Sequence, residues 1–500
     1  GNSEILDYYG HVSAVRPGNV EATLRGNEVG VTQAEELSSK GLEGLSLIVG
    51  MGATGLSCAR FLGSIGADFA VADTRAAPAM LPVFRAEFPE IVSEFGELRE
   101  AFLNSATRLI VSPGVSVKTE AIAKLRQAGV EVIGDIALFA RVVNKPIVAV
   151  TGSNGKSTVV ALLASILRAD GRSFGVGGNL DGENFKPALD LFKEEQKDIY
   201  VLELSSFQLE TTPELNAQAV ALLNLSQDHM DRYADATEYL SAKQNIFNGA
   251  KTVCINLSDP LTLPLDSAVR TVRYKTQDAL EDGFGIAEVA GVRSLSFNGR
   301  AFLAVERIKV AGEHNLANAL AASALAHAVG VSLESIASGI ESFQGLPHRC
   351  QWVAAVRGVD YFNDSKGTNV GSTLASVVGL GEHFAASTGG RLVLIAGGEG
   401  KGADFAPLVP AVGAFVRKVI LIGRDANLIA HCLERDSKAH DIAFAQSMEE
   451  AIELASNAAK AGDAVLLSPA CASFDMFDNF QHRGDSFAAT VRENARKDEG

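Results

Sequence analysis

A glycine-rich turn in the middle of the chain carries the clearest chemistry. The apolar run 148–150 leads into Thr151-Gly-Ser-Asn-Gly-Lys-Ser-Thr158, and the apolar segment 159–167 has the composition of a helix. Small residues at a helix N-terminus let backbone N–H groups approach an anion, which the helix dipole also favours. Lys156 adds a mobile cation for distal phosphates, and the Ser157 hydroxyl can hold Mg²⁺. The pattern predicts a nucleoside triphosphate site.

The match to the usual phosphate loop is incomplete. That pattern places its first glycine where Val150 stands, whereas the leading glycine here is Gly152. An ordinary strand–turn–helix junction is the structural alternative. Gly-Lys-Ser-Thr after a strand favours nucleotide binding.

Polar residues also end the neighbouring predicted strands. Glu203 closes the run 199–203, and an acidic residue in that place beside a phosphate loop holds Mg²⁺ directly or through water. The strand 219–224 runs into the segment 227–233, which contains His229. A histidine alone is more often structural than functional. Because these strand ends converge on one phosphate site, a functional role for His229 is as well supported as a structural one.

A second glycine-rich turn lies nearer the N-terminus. The predicted strand 45–49 ends in Gly50-Met-Gly-Ala-Thr-Gly55, and the strand 69–72 ends about 20 residues later on an acidic residue, a spacing typical of a ribose contact. The pattern predicts a phosphate-bearing nucleotide without identifying it as a nicotinamide cofactor, and glycines needed only for strand–helix packing are the alternative. The candidate contacts are Thr54, Asp73, Thr74 and Arg75.

Composition narrows the class of protein. Five hundred residues are too many for one core and predict about three domains. A net charge of −16 argues against a protein that binds nucleic acid or an anionic membrane. The five cysteines have no CxxC spacing, so neither a zinc site nor a disulfide framework is indicated. No apolar run is long enough to span a bilayer and no signal peptide opens the chain, so we expect a cytoplasmic protein.

Alternating strands and helices predict an α/β fold of three domains, each built on a mainly parallel sheet. We expect a weakly structured extension over 1–44, a Rossmann-like domain over 45–144, a P-loop ATPase-like domain over 145–344 and a Rossmann-like domain over 345–500. The strands of the last domain are predicted at 359–362, 392–395, 419–422 and 464–467. Each ends in polar or Gly-rich sequence, which predicts a ligand crevice along that edge.

With these residues in view, the chain resembles the Mur ligase family over about residues 45–495. Segments 202–210 and 398–405 favour the D-glutamate-adding branch of that family. The first forty-odd residues and the acidic stretch 181–184 depart from the family pattern. The resemblance rests on the phosphate loop, Leu202-Glu-Leu-Ser-Ser-Phe-Gln-Leu-Glu210, Asp228-His-Met-Asp-Arg-Tyr233, His314-Asn315 with Asn318, Gly345-Leu-Pro-His-Arg349, Asn363-Asp-Ser-Lys366 with Thr368-Asn369, and Leu467-Ser-Pro-Ala-Cys-Ala-Ser473.

The resemblance implies ATP-driven amide formation between UDP-N-acetylmuramoyl-L-alanine and D-glutamate through an acyl phosphate. It implies that Lys156 bridges the phosphates, that Ser157 and Glu203 hold one Mg²⁺, and that His229 holds a second with a carbamylated Lys243. The other implied ATP contacts are Gly152, Ser153, Asn154, Gly155, Thr158, Asn318, Arg349, Asp364 and Lys366. The implied UDP-sugar contacts are Thr54, Asp73, Thr74, Arg75 and Asn179, and the implied D-glutamate contacts are Thr368, Lys401, Ser473 and Phe480.

Two other classes explain part of the sequence. A nicotinamide-dependent oxidoreductase would use the 50–55 turn and Asp73 but would leave the phosphate loop without a role. A P-loop switch or binding ATPase would use Lys156 and Glu203 but would leave the third domain without one. We expect a monomer that binds small molecules and neither nucleic acid nor membrane.

Overall fold

The computed structural model describes residues 42–179, 186–225, 232–264, 269–310, 312–435 and 440–499. The acidic stretch 181–184 and His229 lie outside the described residues, as does the predicted extension except for 42–44. The described residues form two compact units. The first unit contains the described residues within 42–160, 171–273 and 327–330. The second unit contains the described residues within 161–170, within 274–326 and from 331 onwards.

The N-terminal sheet has five parallel strands in the order β3-β2-β1-β4-β5. The chain order reverses at β1, where doubly wound sheets open a ligand crevice. The predicted Gly-rich turn follows β1, and Gly55 is required in it because a Cβ would lie 2.0 Å from the Gly50 carbonyl oxygen. The strands are β1 (Ser46–Val49), β2 (Phe69–Asp73), β3 (Ser93–Phe95), β4 (Arg108–Val111) and β5 (Glu131–Ile133).

In the central domain five parallel strands lie in the order β10-β9-β6-β8-β7. The phosphate loop follows β6, and both neighbours of β6 end at the same edge of the sheet. This topology brings the polar strand ends predicted from the sequence to one edge. The strands are β6 (Ile147–Thr151), β7 (Phe174–Gly178), β8 (Ile199–Glu203), β9 (Ala219–Leu222) and β10 (Thr252–Asn256).

The short β-runs predicted within 251–310 are also strands. β11 (Arg270–Tyr274) pairs in parallel with β12 (Phe284–Val289) at Tyr274 and Phe284. β13 (Val292–Phe297) and β14 (Arg300–Ala304) continue from β12 as antiparallel strands joined by tight glycine turns.

The C-terminal sheet has the strand order β15-β16-β20-β17-β18-β19, in which only β15 is antiparallel to its neighbour. Four of these strands match the sequence prediction, whereas the edge strands β15 and β19 were not predicted. The strands are β15 (Gln351–Val356), β16 (Val359–Asn363), β17 (Leu392–Gly397), β18 (Val416–Ile422), β19 (Ile442–Phe444) and β20 (Ala464–Leu467). All three domains are therefore α/β, with mainly parallel sheets.

Helices connect these strands. None of the described helices is both long and apolar enough to cross a membrane. The helices are α1 (Ala53–Ser64), α2 (Leu81–Glu87), α3 (Glu100–Leu103), α4 (Glu120–Gln127), α5 (Asp135–Val142), α6 (Lys156–Ala169), α7 (Ser206–Leu209), α8 (Ala236–Gln244), α9 (Glu313–Ala328), α10 (Leu333–Ser342), α11 (Val370–Ser387), α12 (Val409–Phe415), α13 (Ala426–Glu434), α14 (Met448–Ala458) and α15 (Phe480–Glu499).

One hydrophobic core serves the first two sheets. Ile48 of β1 and Ala149 of β6 belong to the same buried cluster, in which the ring of Phe139 meets that of Tyr200 edge-on at 5.6 Å. Leu42, at the start of the described chain, also packs into this cluster. The shared core keeps the ends of β1 and β6 in one compact unit.

A buried acid lies in this first unit. Asp135 opens α5 and is 1% exposed, and neither carboxylate oxygen has a hydrogen-bond partner of good geometry among the described residues. Burial raises the pKa of Asp135 to about 7, and the N–H groups of Asp135 and Ile136 at the helix start only partly offset that rise. The carboxyl group is therefore partly protonated near neutral pH.

Replacing Asp135 with Asn should change how stability depends on pH. In the unfolded chain the carboxyl titrates near its ordinary pKa, so between about pH 4 and pH 7 the folded wild type binds a proton that the unfolded chain does not. The free energy of unfolding therefore falls as pH rises through this window, by up to about 4 kcal/mol. Asp135→Asn removes that loss, and its thermal midpoint should rise relative to wild type between pH 5 and pH 8. Asp68→Asn, an exposed control with the same charge change, should show no such trend, and a pH-independent effect of Asp135→Asn would contradict the interpretation.

Candidate functional site

The phosphate loop is held from the neighbouring strand. Asn224 lies just beyond β9, and its side-chain amide makes two hydrogen bonds to the backbone of Asn154. Its Oδ1 accepts from the Asn154 N–H at 2.8 Å, and its Nδ2 donates to the Asn154 carbonyl at 2.9 Å. The Ser153 N–H donates to the Asn224 carbonyl at 3.1 Å. A Cβ on Gly152 would lie 3.1 Å from that of Leu223, so the loop runs close against β9. Sequence analysis did not single out Asn224, although its place after a strand beside β6 is the signal that could have identified it.

Lys156 and Ser157 begin α6 directly after this loop. The Lys156 ammonium donates to the carbonyls of Gly152 at 3.0 Å and Ser153 at 3.4 Å, so the side chain folds back over its own loop. The Ser157 hydroxyl donates to Glu203 Oε2 at 2.8 Å. Glu203 is 2% exposed at the end of β8, in register with Val150 of β6. The structure therefore brings together the predicted phosphate cation and the first predicted pair of magnesium ligands.

The donor set at Ser157 and Glu203 fits Mg²⁺. A hydroxyl and a carboxylate are hard oxygen ligands, and Mg²⁺ commonly takes only one or two protein ligands and completes its shell with phosphate and water. Among the described residues no group of three or more His, Cys, Asp or Glu side chains is arranged to hold a metal. Ser157 and Glu203 therefore suit a metal that arrives with a nucleotide.

Lys243 is buried beside the same loop. It lies in the last turn of α8 and is 2% exposed, which is rare for lysine. Its Nζ donates to Thr151 Oγ1 at 3.2 Å and to the Gly152 carbonyl at 3.0 Å, and it lies 4.9 Å from the centre of the Tyr239 ring. Lys156 Nζ donates to the same carbonyl at the same distance, so the two nitrogens lie at most about 6 Å apart.

Asn179 also lies at this edge. It follows β7 and donates its N–H to the Glu203 carbonyl at 2.8 Å. The predicted UDP-sugar contact is thus adjacent to a predicted magnesium ligand. The proposed second metal ligand, His229, lies outside the described residues.

At the edge of the N-terminal sheet, Asp73 and Arg75 bind each other. The Arg75 guanidinium donates to both Asp73 oxygens, at 2.9 and 2.6 Å, and the Met51 N–H donates to Oδ2 at 2.7 Å. Burial alone would raise the pKa of Asp73, but the hydrogen bonds from Arg75 and the Met51 N–H outweigh it, so the pKa lies below its ordinary value. Thr54 is buried in α1, whereas Thr74 is exposed. The carboxylate therefore ties β2 to the Gly-rich turn and positions Arg75, whose side chain is 57% exposed.

In the C-terminal domain Asp364 is buried in a hydrogen-bonded network. The Cys350 N–H donates to Oδ1 at 3.1 Å, and the hydroxyls of Ser376 and Ser468 each donate to Oδ2 at 2.7 Å. Burial raises the pKa of Asp364 to about 6, and the two hydroxyls and the charge of Arg349 limit the rise. Sequence analysis did not predict these two serines as partners of Asp364.

The other predicted nucleotide contacts take different places. Asn318 lies in α9 and donates to Asn315 Oδ1 at 3.3 Å. The Lys366 N–H donates to the His348 carbonyl, and its ammonium lies 4.0 Å from the centre of the Phe480 ring. A predicted nucleotide contact is thus in direct contact with a predicted amino-acid contact.

Three of the predicted D-glutamate contacts, Thr368, Lys401 and Ser473, lie on loops at the carboxyl edge of this sheet, and the fourth, Phe480, begins α15. Glu399 and Ala472 exchange backbone hydrogen bonds of 3.0 and 2.9 Å, which pair the loop carrying Lys401 with the loop carrying Ser473. Lys401 has φ +49°, an uncommon conformation for a residue other than glycine, and its ammonium lies 5.6 Å from the Phe474 ring. Ser473 is buried, whereas Lys401 is exposed.

Three family models match the chain. The model described as "Mur ligase MurD-like, N-terminal domain" matches residues 45–134, "Mur ligase middle domain" matches 150–326, and "Mur ligase, glutamate ligase domain" matches 348–471. Together they span most of the chain, including both glycine-rich turns.

Curated relatives are similar over nearly their full length. The UDP-N-acetylmuramoylalanine–D-glutamate ligase of Pseudomonas aeruginosa is 47% identical over 450 residues, which are 90% of this chain and 98% of the relative. The ligase of the same name from Pseudomonas syringae pv. tomato is 46% identical over 89% of this chain and 97% of its own. That of Coxiella burnetii is 46% identical over 90% and 99%.

Solved structures share the fold at low identity. The UDP-N-acetylmuramate–alanine ligase MurC of Thermotoga maritima is 18% identical and superposes with a TM-score of 0.55 over 90% of this chain and 100% of its own. MurF of Acinetobacter baumannii is 15% identical with a TM-score of 0.57, over 92% and 98%.

Proposed function

The chain belongs to the Mur ligase family, and on that basis we propose that it is the ATP-dependent ligase that joins D-glutamate to UDP-N-acetylmuramoyl-L-alanine in the synthesis of peptidoglycan precursors. One observation carries the proposal: relatives named for this reaction are 46–47% identical over about nine-tenths of the chain. The bonded pair of Ser157 and Glu203 beside Lys156 supports the ATP-dependent part of it.

The reaction requires two group transfers. The alanyl carboxylate attacks the γ-phosphorus of ATP, which releases ADP and forms an acyl phosphate. The neutral amine of D-glutamate then adds to the acyl carbon, and the tetrahedral adduct loses a proton from nitrogen and expels phosphate to leave the amide. A carboxylate must first approach a triphosphate, so the protein has to concentrate positive charge and backbone donors at that point.

We assign this task to the edge of β6. The backbone N–H groups at the start of α6 would bind phosphate oxygens, and Lys156 would exchange the Gly152 and Ser153 carbonyls for phosphate oxygens when nucleotide binds. Ser157 and Glu203 would hold Mg²⁺, which neutralises phosphate charge when bound. A second magnesium held by His229 and a carbamylated Lys243 is a further part of the proposal.

We assign the UDP moiety to the N-terminal crevice. Arg75 supplies an exposed cation that Asp73 orients, which suits a pyrophosphate or ribose contact better than a buried group would. Thr54 and Thr74 complete this set, and Asn179 lies beside Glu203, where the sugar's alanyl end has to arrive.

We assign the nucleoside and amino acid to the second unit. Asn318, Arg349, Asp364 and Lys366 are the proposed nucleotide contacts. Cys350, Ser376 and Ser468 donate to the Asp364 carboxylate, so Asp364 also fixes its loop. The proposed D-glutamate contacts are Thr368, Lys401, Ser473 and Phe480.

Three broader assignments belong to the same proposal. The chain acts as a cytoplasmic monomer on small molecules, without nucleic acid or membrane partners. Its UDP-sugar-binding domain covers residues 45–144, its ATP-binding domain 145–344 and its amino-acid-binding domain 345–500. Residues 1–44 are assigned to an N-terminal extension.

Phosphate release tests the proposed function. We expect release from ATP that depends on both UDP-N-acetylmuramoyl-L-alanine and D-glutamate. Release that needs neither would favour a P-loop switch or binding ATPase. Hydride transfer with a nicotinamide cofactor, in the absence of such release, would favour an oxidoreductase.

Lys401→Ala should weaken the binding of D-glutamate selectively. Each charge-assisted hydrogen bond between an ammonium and a carboxylate contributes about 1.5–3 kcal/mol, so the KM for D-glutamate should rise tenfold or more. The KM for ATP should change less than twofold, because the proposed contact of Lys401 is made to D-glutamate and not to ATP. Steady-state kinetics with each substrate varied in turn measures both values. Lys460→Ala, an exposed lysine of the same domain, is the control, and an equal rise in both KM values for Lys401→Ala would contradict the assignment.

A further inference from the structure

Arg483 is a buried arginine that the proposed chemistry does not use. It lies in the first turns of α15 and is 1% exposed, one of the largest fully buried side chains among the described residues. Arginine is almost never fully buried unless its donors are paired, because an unpaired guanidinium loses its hydration without compensation. Its position therefore requires specific partners.

Those partners are two loops of the carboxyl edge. Arg483 Nε donates to Ser365 Oγ at 3.0 Å, and Nη2 donates to the Ser365 carbonyl at 2.8 Å. On the other side of the fork, Nη1 donates to the Cys471 carbonyl at 3.1 Å. One planar group thus joins the loop after β16 to the loop after β20.

These loops carry the proposed contacts. Ser365 lies between Asp364 and Lys366, and Cys471 lies two residues before Ser473. The strands β16 and β20 are parallel neighbours, but their pairing ends at Asn363 and Leu467. Beyond that point two direct bonds still join the loops: the Ala470 N–H donates to the Gly367 carbonyl at 2.8 Å, and the Ser468 hydroxyl donates to Asp364 Oδ2 at 2.7 Å. Neither bond reaches Ser365 or Cys471, so Arg483 adds the placement of these two residues relative to each other.

The same helical turn reaches a third segment. The Gly484 carbonyl accepts from Asn363 Nδ2 at 3.0 Å, and a Cβ on Gly484 would lie 2.2 Å from His348 Nδ1. Ser365 Oγ also donates to the Phe480 carbonyl at 2.7 Å. The start of α15 is therefore fixed against the segment that precedes Arg349.

We propose that Arg483 is a positioning residue that sets the Lys366 loop and the Ser473 loop in register, so that the nucleotide and amino-acid contacts form together. This inference rests on the proposed function, because it takes from it the roles of Lys366 and Ser473. Arg483 itself touches neither substrate. Burial lowers the pKa of Arg483 to about 10, so the side chain is still a cation at neutral pH and charges its bonds to both loops.

Arg483→Lys tests whether the planar geometry of the guanidinium, rather than its positive charge alone, is required. Lysine keeps a cation but is a compact point donor, and it cannot span Ser365 and Cys471 with the planar geometry of arginine. We expect the KM values for D-glutamate and for ATP each to rise about tenfold, while the KM for the UDP-sugar stays within twofold. A variant that merely folds less well would lower the apparent kcat and leave all three KM values unchanged.

Arg391→Lys is the matched control. The Arg391 guanidinium also donates to two carbonyls of this domain, those of Gly413 and Val416, but it lies at the opposite edge, where β17 begins. Arg391→Lys should lower the thermal midpoint of unfolding about as much as Arg483→Lys does, without changing the KM for any substrate. Ser365→Ala removes one partner of Arg483 and should give a smaller change of the same sign.

Hydrogen exchange supplies a readout that does not depend on activity. In the substrate-free protein, Arg483→Lys should speed exchange about tenfold in peptides covering both 364–368 and 470–475, and Arg391→Lys should not. Unchanged exchange in either loop overturns the proposal, as does faster exchange with unchanged KM values. If wild type releases no phosphate with both substrates, the proposed function fails, and the exchange data still decide whether Arg483 couples the loops.

Discussion

Lys156→Met is expected to lower kcat about a thousandfold. Methionine keeps nearly the length and apolar stem of lysine and removes only the cation, whose bonds in this structure go to the Gly152 and Ser153 carbonyls. Phosphoryl transfer depends almost entirely on positioning and charge stabilisation, and one lost cation at the transferred group costs about 4 kcal/mol of transition-state stabilisation.

The measurement is phosphate release at saturating substrates, together with ATP-analogue binding by calorimetry. Lys251→Met, an exposed lysine just before β10, is the control and should retain wild-type kcat. The fold should survive Lys156→Met, because Asn224 also holds the loop backbone, through both the N–H and the carbonyl of Asn154. Retention of kcat within fivefold would show that another group supplies the charge.

The sequence predicted the placement of Lys156 because several levels agree there. A buried β-branched strand, a glycine turn and an apolar helix all favour one local structure, and parallel pairing then brings Glu203 to the same edge. The same reasoning predicted the parallel strands β16, β17, β18 and β20. It did not predict β15 and β19, whose edge positions leave them short or half exposed, with a weaker apolar pattern.

Contacts between distant residues could not be read from local pattern. Asn224 binds Asn154 across 70 positions, and Arg483 binds Ser365 across 118. Each lies in a segment with no motif of its own, so only the folded backbone identifies its partner. The burial of Asp364 is a similar case, because Ser376 and Ser468 approach it from separate elements. Sequence patterns therefore point to the predicted site residues but not to the residues that hold them in place.

The environment of Lys243 suits a chemical change at that side chain. Lys243 is buried, and its Nζ lies at most about 6 Å from that of Lys156 beside the phosphate loop. We propose that this side chain reacts as the free amine. The neutral nitrogen can add to carbon dioxide: an N–C bond forms, one proton is released, and the cation becomes a carbamate. The product supplies anionic oxygen, the ligand type that Mg²⁺ prefers, where an ammonium has three donors and no acceptor.

Lys243→Ala should consequently lower kcat at least a hundredfold, and acetate should restore part of the loss. The substitution leaves a space beside Thr151 and Gly152 that a small carboxylate can enter, and acetate supplies the missing oxygen donors. Activity is measured across an acetate titration, with Lys251→Ala as the control that should neither lose activity nor respond. Isotope-labelled bicarbonate gives an independent readout, since the wild type should show a carbamate resonance that Lys243→Ala lacks. Full activity of the untreated variant, or a wild-type protein without that resonance, would refute carbamylation at this lysine.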